Sequence, residues 1–202
     1  MTVLVTGGAG FIGSHTCAEL VGRGDEVVVV DDYSNSSPSV LPAIGQFGPG
    51  RVIGYRADVR DADALDRIFA RHDITAVVHF AALKSVSESV RRPRAYYEVN
   101  VTGTLSLLGS MQRHDVTRLV FSSSCSLYGD QQNRLIAEDC EPRPANPYAA
   151  SKLMCERIMA DACTAWPGLS VISLRYFNPI GAHPSGLIGE DPQGALCWVV
   201  VC

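Results

Sequence analysis

The chain is poor in lysine. Among its 202 residues there are 17 basic side chains, and only Lys84 and Lys152 are lysines; every other cation is an arginine. A compact ammonium and a planar guanidinium do different work, so two lysines on an arginine background are candidates for a task arginine cannot do, or the residue of compositional drift. Positive charge is also in deficit. A net charge of −4 and a pI near 5.7 exclude the basic footprint of a nucleic-acid binder. No apolar run approaches the roughly 20 residues a membrane-crossing helix needs. The opening Met1-Thr2-Val3-Leu4-Val5 lacks the charged start of a secretory signal. A cytoplasmic setting with no membrane or nucleic-acid partner is therefore expected. Seven cysteines are odd in number and none form C-x-x-C, which argues against zinc or redox pairs and for reduced, mostly buried thiols. No metal site is expected, and no internal repeat or low-complexity segment is present.

What the chain does have is apolar residues at 47%, enough for a sizeable core in one domain and a little more. Strand-like runs at Val3–Thr6, Val27–Val30, Val52–Tyr55, Ala76–Phe80, Leu119–Ser122 and Val171–Leu174 alternate with helical patterns at Phe11–Gly22, Ala62–His72, Tyr96–Arg113 and Pro147–Trp166. Tyr33–Gly50, rich in Ser, Pro and Gly, reads as a long loop. Unbroken β-branched runs such as Val27–Val30 mark strands buried on both faces. The alternation predicts an α/β fold, a doubly wound parallel sheet covered on both sides. After Asn178 the texture shifts to Pro, Gly and His up to Gly194, and Ala195–Cys202 is wholly apolar. Residues 1–178 read as one α/β domain and 179–202 as a separate region.

Thr6-Gly7-Gly8-Ala9-Gly10-Phe11-Ile12-Gly13 joins a strand to a helix and fits G-x-G-x-x-G. Glycines at Gly7, Gly10 and Gly13 let backbone turn tightly and approach a pyrophosphate, which the helix N-terminus then attracts. Asp31, eighteen residues past Gly13, closes the second strand where a carboxylate accepts bonds from the adenosine ribose and repels the extra phosphate of NADP. No Arg or Lys follows it before Gly50. NAD is the expected cofactor. Asp58, just past the third strand, reads equally as an adenine-side contact or as a helix cap.

A serine run, Ser122-Ser123-Ser124, ends the fifth strand, and strand C-termini face the ligand crevice in such sheets. Tyr148 and Lys152 follow four residues apart on a helix, so they share a face. A neighbouring ammonium would lower the phenol pKa from its usual value near 10 and make Tyr148 a usable base.

These residues together resemble the extended short-chain dehydrogenase/reductase family, and within it the NAD-dependent epimerases of UDP-hexoses. The resemblance is carried by Leu4-Val5-Thr6-Gly7-Gly8, Gly13-Ser14-His15-Thr16, His79-Phe80-Ala81-Ala82-Leu83-Lys84, Tyr128-Gly129-Asp130, Ser151-Lys152-Leu153-Met154, Leu174-Arg175-Tyr176-Phe177-Asn178-Pro179, Ala182-His183-Pro184-Ser185-Gly186 and Gly189-Glu190-Asp191-Pro192-Gln193-Gly194. It implies NAD contacts from Phe11, Ile12, Asp31, Asn35, Ser36, Asp58, Val59, Phe80, Ala81, Lys84, Tyr148, Lys152 and Phe177. It implies a UDP-sugar substrate touched by Ser124, Tyr148 and Asn178, with a homodimer left open. By the same resemblance Tyr148 takes the C4 hydroxyl proton, Ser124 bonds the reacting oxygen and Lys152 tunes Tyr148, while hydride leaves for NAD and returns to the other face of a transient 4-keto sugar. Dehydrating relatives carry an Asp-Glu pair after the serine; here Cys125 and Ser126 stand there, which favours epimerisation and makes Cys125 a packing residue. Val99 occupies a position where relatives often have Asn, with Asn100 beside it, leaving that contact open. Beyond Gly194 relatives continue into a region that grips the uridine nucleotide. The resemblance therefore implies a C-terminally truncated or frame-shifted copy in which 179–202 is a remnant. The expectation is weak-to-moderate NAD binding and inefficient epimerisation. The alternatives are a catalytically impaired or non-catalytic NAD-binding fragment and a dehydrogenase with net hydride transfer.

Overall fold

A computed structural model describes residues 1–131 and 135–190. Six strands, β1 (Thr2–Thr6), β2 (Glu26–Asp31), β3 (Arg51–Arg56), β4 (Ala76–His79), β5 (Arg118–Ser124) and β6 (Ser170–Tyr176), form one parallel sheet in the order β3-β2-β1-β4-β5-β6. Successive side chains of a strand point to opposite faces, and the two cores divide accordingly. Leu4, Val28 and Val30 join Leu65, Phe69, Leu107, Met111 and Met159 on one face; Val3, Val5, Val27 and Val29 join Cys17, Val21 and Ile44 on the other. This is why the valine run carries no alternation of polarity. The chain runs outward from β1 to β2 and β3, then returns to lay β4 on β1's other edge. A crevice opens at that reversal, at the C-terminal ends of β1 and β4.

The first helix, α1 (Phe11–Gly22), has the bounds the sequence predicts. In the stretch expected to be a loop lies a short helix, α2 (Val40–Ile44), held by the fully buried Ile44. Next, α3 (Ala62–Phe69) is capped by Asp61, whose carboxylate accepts from Ala64 N at 2.9 Å, and stops three residues short of His72. A further short helix, α4 (Val86–Arg91), capped by Ser85, escapes a periodicity reading because it is short and polar. The helix expected over Tyr96–Arg113 is three segments: α5 (Pro93–Tyr96), a π turn (Tyr97–Thr102) and α6 (Gly103–Arg113). Side chains account for the wide turn. The Asn100 carbonyl accepts from the Thr104 hydroxyl at 2.7 Å and the Cys155 thiol at 3.4 Å. After β5 comes a 3-10 turn (Cys125–Tyr128), and α7 (Pro147–Ala165) begins with Pro in its first turn and Asn146 as cap.

Two expectations need correction. Of the five described cysteines only Cys17 and Cys155 are buried, while Cys125, Cys140 and Cys163 are half-buried, because Cys125 and Cys140 lie on turns and Cys163, near the end of α7, packs only partly against the core. Burial on both faces also fails for β6. It is the edge strand, and its Ile172 is 57% exposed. Arg175 on β6 nonetheless ties it inward. Its guanidinium holds both oxygens of Glu156 on α7 at 3.1 and 2.7 Å, bonds the Tyr128 hydroxyl and lies 4.9 Å over that ring. The residues 191–202 of the atypical tail lie outside those described.

Candidate active site

The crevice holds a cavity of about 470 Å³. Its floor at one end is the turn between β1 and α1. Gly7 has φ +68°, and a Cβ there would come within 2.6 Å of Ala81 N. A Cβ on Gly13 would reach 2.2 Å from Gly7 O, so α1 sits against the turn only because Gly13 has no side chain. Gly10 is different: a Cβ would meet nothing nearer than Gly7 O at 3.4 Å. Among the described residues nothing closer demands glycine at Gly10, and the space it leaves bare is the cavity. The first turn of α1 has no side-chain cap and no acidic residue, and Phe11, Ile12 and Gly13 line the cavity with it. Backbone N–H groups at such an end suit a phosphate.

Asp31 emerges from β2 beside this turn. Its Oδ2 accepts from Ala9 N at 3.0 Å, and its Oδ1 accepts from Tyr33 N and Ser36 Oγ, both at 2.9 Å. Of the four or so lone-pair sites of a carboxylate, three are occupied, leaving one for an outside donor. The same carboxylate thus fixes the glycine turn and the loop that follows β2. Asp58 also faces the cavity. The cap role falls to Asp61 instead, and Asp58 pairs with Arg60, whose Nε lies 2.9 Å from Oδ1; this partner holds the Asp58 carboxyl below the ordinary range.

At the opposite end stand Ser124, Tyr148 and Lys152. Ser124 caps the 3-10 turn, accepting from Ser126 N at 3.2 Å. Tyr148 is in the first turn of α7, and its ring meets that of Tyr96 edge-on at 6.4 Å. Lys152, one turn on, is buried. Its Nζ donates to the Ser122 carbonyl at 2.8 Å and lies 4.8 Å over the Phe121 ring. Burial pushes its pKa down to about 8. The expected effect of Lys152 on the phenol is not what governs Tyr148. Burial raises that phenol, and a bond from Ser124 counters it. Cys125 is itself raised by burial, so it stays a thiol.

The cavity brings together Gly7, Gly10, Phe11, Ile12, Gly13, Asp31, Asn35, Ser36, Asp58, Val59, Phe80, Ala81, Lys84, Ser124, Tyr148, Lys152 and Asn178. Phe177 is the exception. Tyr176 and Asn178 line the cavity, and the residue between them turns its ring outward, 59% exposed. Sequence reasoning left Val99 open and missed Asp32, Cys125, Ser126, Tyr176 and Glu190 as lining residues. Val99 reaches the cavity because the π turn rotates it there; Asn100 points inward instead, accepting from Leu83 N at 2.8 Å and donating to Ser151 Oγ at 2.9 Å. Across the mouth runs the segment from Pro179 to Glu190. His183 packs on Phe47 at 4.3 Å between ring centres, Ile188 is buried, and Glu190 meets the Lys84 ammonium at 3.2 Å.

The features fit a dinucleotide: a bare glycine and free N–H groups for a pyrophosphate, a carboxylate with one open acceptor site for a ribose, and a phenol, hydroxyl and ammonium beyond. Similar proteins agree. The UDP-glucose 4-epimerase of Neisseria gonorrhoeae is 52% identical over 195 residues, covering 96% of this chain and 58% of that protein. That of Bacillus subtilis (strain 168) is 50% identical over 194 residues, covering 96% and 57%. The chain thus spans less than three-fifths of the length of these relatives. The crystal structure of UDP-glucose 4-epimerase from Bifidobacterium longum in complex with NAD+ and UDP superposes with a TM-score of 0.93 at 48% identity, over 96% of this chain and 58% of that one. The Stenotrophomonas maltophila enzyme with bound NAD and formylated UDP-arabinopyranose gives 0.94 at 46%, over 98% and 59%. The model of one family matches residues 3–191. With nearly the whole described chain covered and the glycine turn, Asp31 and the Tyr148–Lys152 pair all on one cavity, the chain belongs to the NAD dependent epimerase/dehydratase family.

Proposed function

We propose that this chain carries the NAD site and the proton-transfer groups of a UDP-hexose 4-epimerase. The observation that carries the reading is that Ser124, Tyr148 and Lys152 share one cavity with the bare Gly10 turn and Asp31. Gly10 and the N–H groups of Phe11–Gly13 hold the pyrophosphate, Asp31 a ribose hydroxyl, and Lys152 the second ribose. NAD, when bound, supplies a hydride acceptor that returns what it takes. Ser124 bonds the reacting sugar oxygen and Tyr148 exchanges its proton, with Asn178 on the substrate side. Cys125 and Ser126, rather than two carboxyl groups, follow Ser124, and the half-buried Cys125 thiol keeps its proton, so this end lacks the pair of carboxyl groups that serves water elimination in dehydrating relatives. That supports epimerisation over dehydration.

The same reading takes residues 1–178 as the nucleotide-binding unit and the segment from 179 as the start of the substrate region. It places the reaction in galactose metabolism and the cytoplasm and allows a homodimer, which fractionation and sedimentation would check. Among the described residues no helix is long and apolar enough to cross a membrane.

Titration of the purified chain with both cofactors tests the first half. NAD should bind more tightly than NADP, because the Asp31 carboxylate repels a 2′-phosphate and no basic residue follows it before Gly50. Equal or tighter NADP binding overturns it. In a full-length relative carrying this segment, UDP-galactose with NAD supplied should give UDP-glucose without accumulation of NADH, while this chain alone should turn over inefficiently; net NADH would point to a dehydrogenase.

A further inference from the structure

A file of buried hydrogen bonds runs beneath the cavity, and no step above uses it. His79 ends β4 with its ring buried, Nδ1 2.6 Å from Thr6 Oγ1 and Nε2 3.1 Å from Thr104 Oγ1. Counting hydrogens fixes the direction of each bond. A threonine hydroxyl has one hydrogen. That of Thr104 is spent on the Asn100 carbonyl at 2.7 Å, with Cys155 Sγ at 3.4 Å as its other acceptor. Either way it points away from His79, so Nε2 donates. Burial and the Lys152 charge drive the ring toward its neutral form, to a pKa of about 3. Nδ1 therefore accepts, and Thr6 supplies the hydrogen.

The file joins the glycine turn to the helix that carries Tyr148. Thr6 precedes the Gly7 turn, and its carbonyl accepts from Phe80 N at 2.9 Å and Ala81 N at 3.1 Å, both residues of the cavity wall. Thr104 grips the π turn at Asn100. The Asn100 amide then pins Leu83 through both its N–H and its carbonyl, and donates to Ser151, whose hydroxyl bonds the Tyr148 carbonyl at 2.7 Å. The imidazole also lies against the Phe121 ring, 5.7 Å between centres, and Lys152 sits on that same ring. A histidine suits this place because it accepts at one edge and donates at the other. The groups facing it are the Thr6 and Thr104 hydroxyls and, from α7, Lys152 and Cys155.

We propose that His79 is a positioning residue: a neutral Nε2–H imidazole whose two directed bonds set the spacing of the glycine turn from the π turn and, through Asn100, place Leu83 and the Tyr148–Lys152 helix. Its bearing on cofactor binding rests on the function proposed above; the geometric part does not.

Two measurements test it. In protein labelled with ¹⁵N-histidine, long-range ¹H–¹⁵N correlation spectra, with His79 assigned by its loss in His79→Gln, should show the neutral Nε2–H form at every pH between about 5.5 and 8.5. The Nδ1–H form, or a titration in that window, overturns the proposal. Thr104→Val removes both the acceptor for His79 Nε2 and the donor to the Asn100 carbonyl and keeps the shape, while Thr104→Ser restores the hydroxyl. In the valine variant the Leu83 amide should exchange its hydrogen about tenfold faster or more, and NAD should bind about tenfold more weakly, with serine rescuing both. Wild-type exchange at Leu83 in Thr104→Val, or no rescue by serine, overturns it. Should the wild-type chain bind no NAD, the cofactor reading fails, and the tautomer and the Leu83 exchange still decide the role of His79.

Discussion

Tyr148 and Lys152 divide proton handling between them in a way spacing alone does not reveal. Four residues of separation place both on one face, and the cavity confirms it. The balance of burial against charge is a property of the folded site, and there burial dominates Tyr148. With the same NAD site retained, Tyr148→Phe in a full-length relative carrying this segment should bind NAD almost normally and lose about 10²–10⁴-fold in C4 epimerisation, read by coupled assay. Turnover close to wild type would remove Tyr148 from the proton path. Lys152 makes a separate prediction. Its folded pKa is depressed to about 8 from an ordinary 10.5, so between those values the unfolded chain binds the extra proton. Stability therefore rises with pH through this window and is lower, and level, beneath it. Compared with Lys152→Met, the wild type should gain about 3 kcal/mol in urea unfolding between pH 7.5 and 10.5. A constant difference between the two proteins across that range would refute the buried-ammonium account.

The glycine turn shows how an element divides its constraints. Gly13 is demanded by the protein, since a Cβ there strikes Gly7 O, whereas Gly10 is demanded only by whatever enters the cavity. Gly13→Ala should lower the melting temperature by several degrees, the scale of about 1 to 3 kcal/mol of overpacking, and impair NAD binding as a consequence. Gly10→Ala should melt like the wild type and still lose NAD affinity in calorimetry. Equal destabilisation by both would mean the turn, not the ligand, needs Gly10. Elements of this kind were legible from the chain. The bounds of α1 follow from glycine before and after an apolar face, and the valine run of β2 announces burial on both sides. Less was legible where tertiary bonds override local pattern. The π turn arises from the Thr104 and Cys155 bonds to Asn100, which are invisible in a helical periodicity. Asp31 was read as a ligand contact, yet three of its acceptor sites serve the protein's own loops. The resemblance implies an NAD contact from Phe177, yet just past β6 this residue is exposed and off the cavity wall.

Over the whole molecule, cationic charge is distributed by kind. The described arginines serve surfaces and ion pairs, such as Arg175 with Glu156 and Arg113 with Asp66, while both lysines are on the cavity wall. One of them, Lys152, is 3% exposed; the other, Lys84, has a side chain 57% exposed at the mouth, where it meets Glu190. Apart from the amino terminus, then, the chain offers an amine-directed reagent a single open target, and that target stands at the entrance of the site. Mild acetylation followed by peptide mass spectrometry should mark Lys84 well ahead of Lys152, and saturating NAD should slow the reaction at Lys84. Equal labelling of the two, or indifference to NAD, would contradict the arrangement. A chain that economises on one amino acid thereby acquires a built-in chemical reporter of whether its cavity is filled.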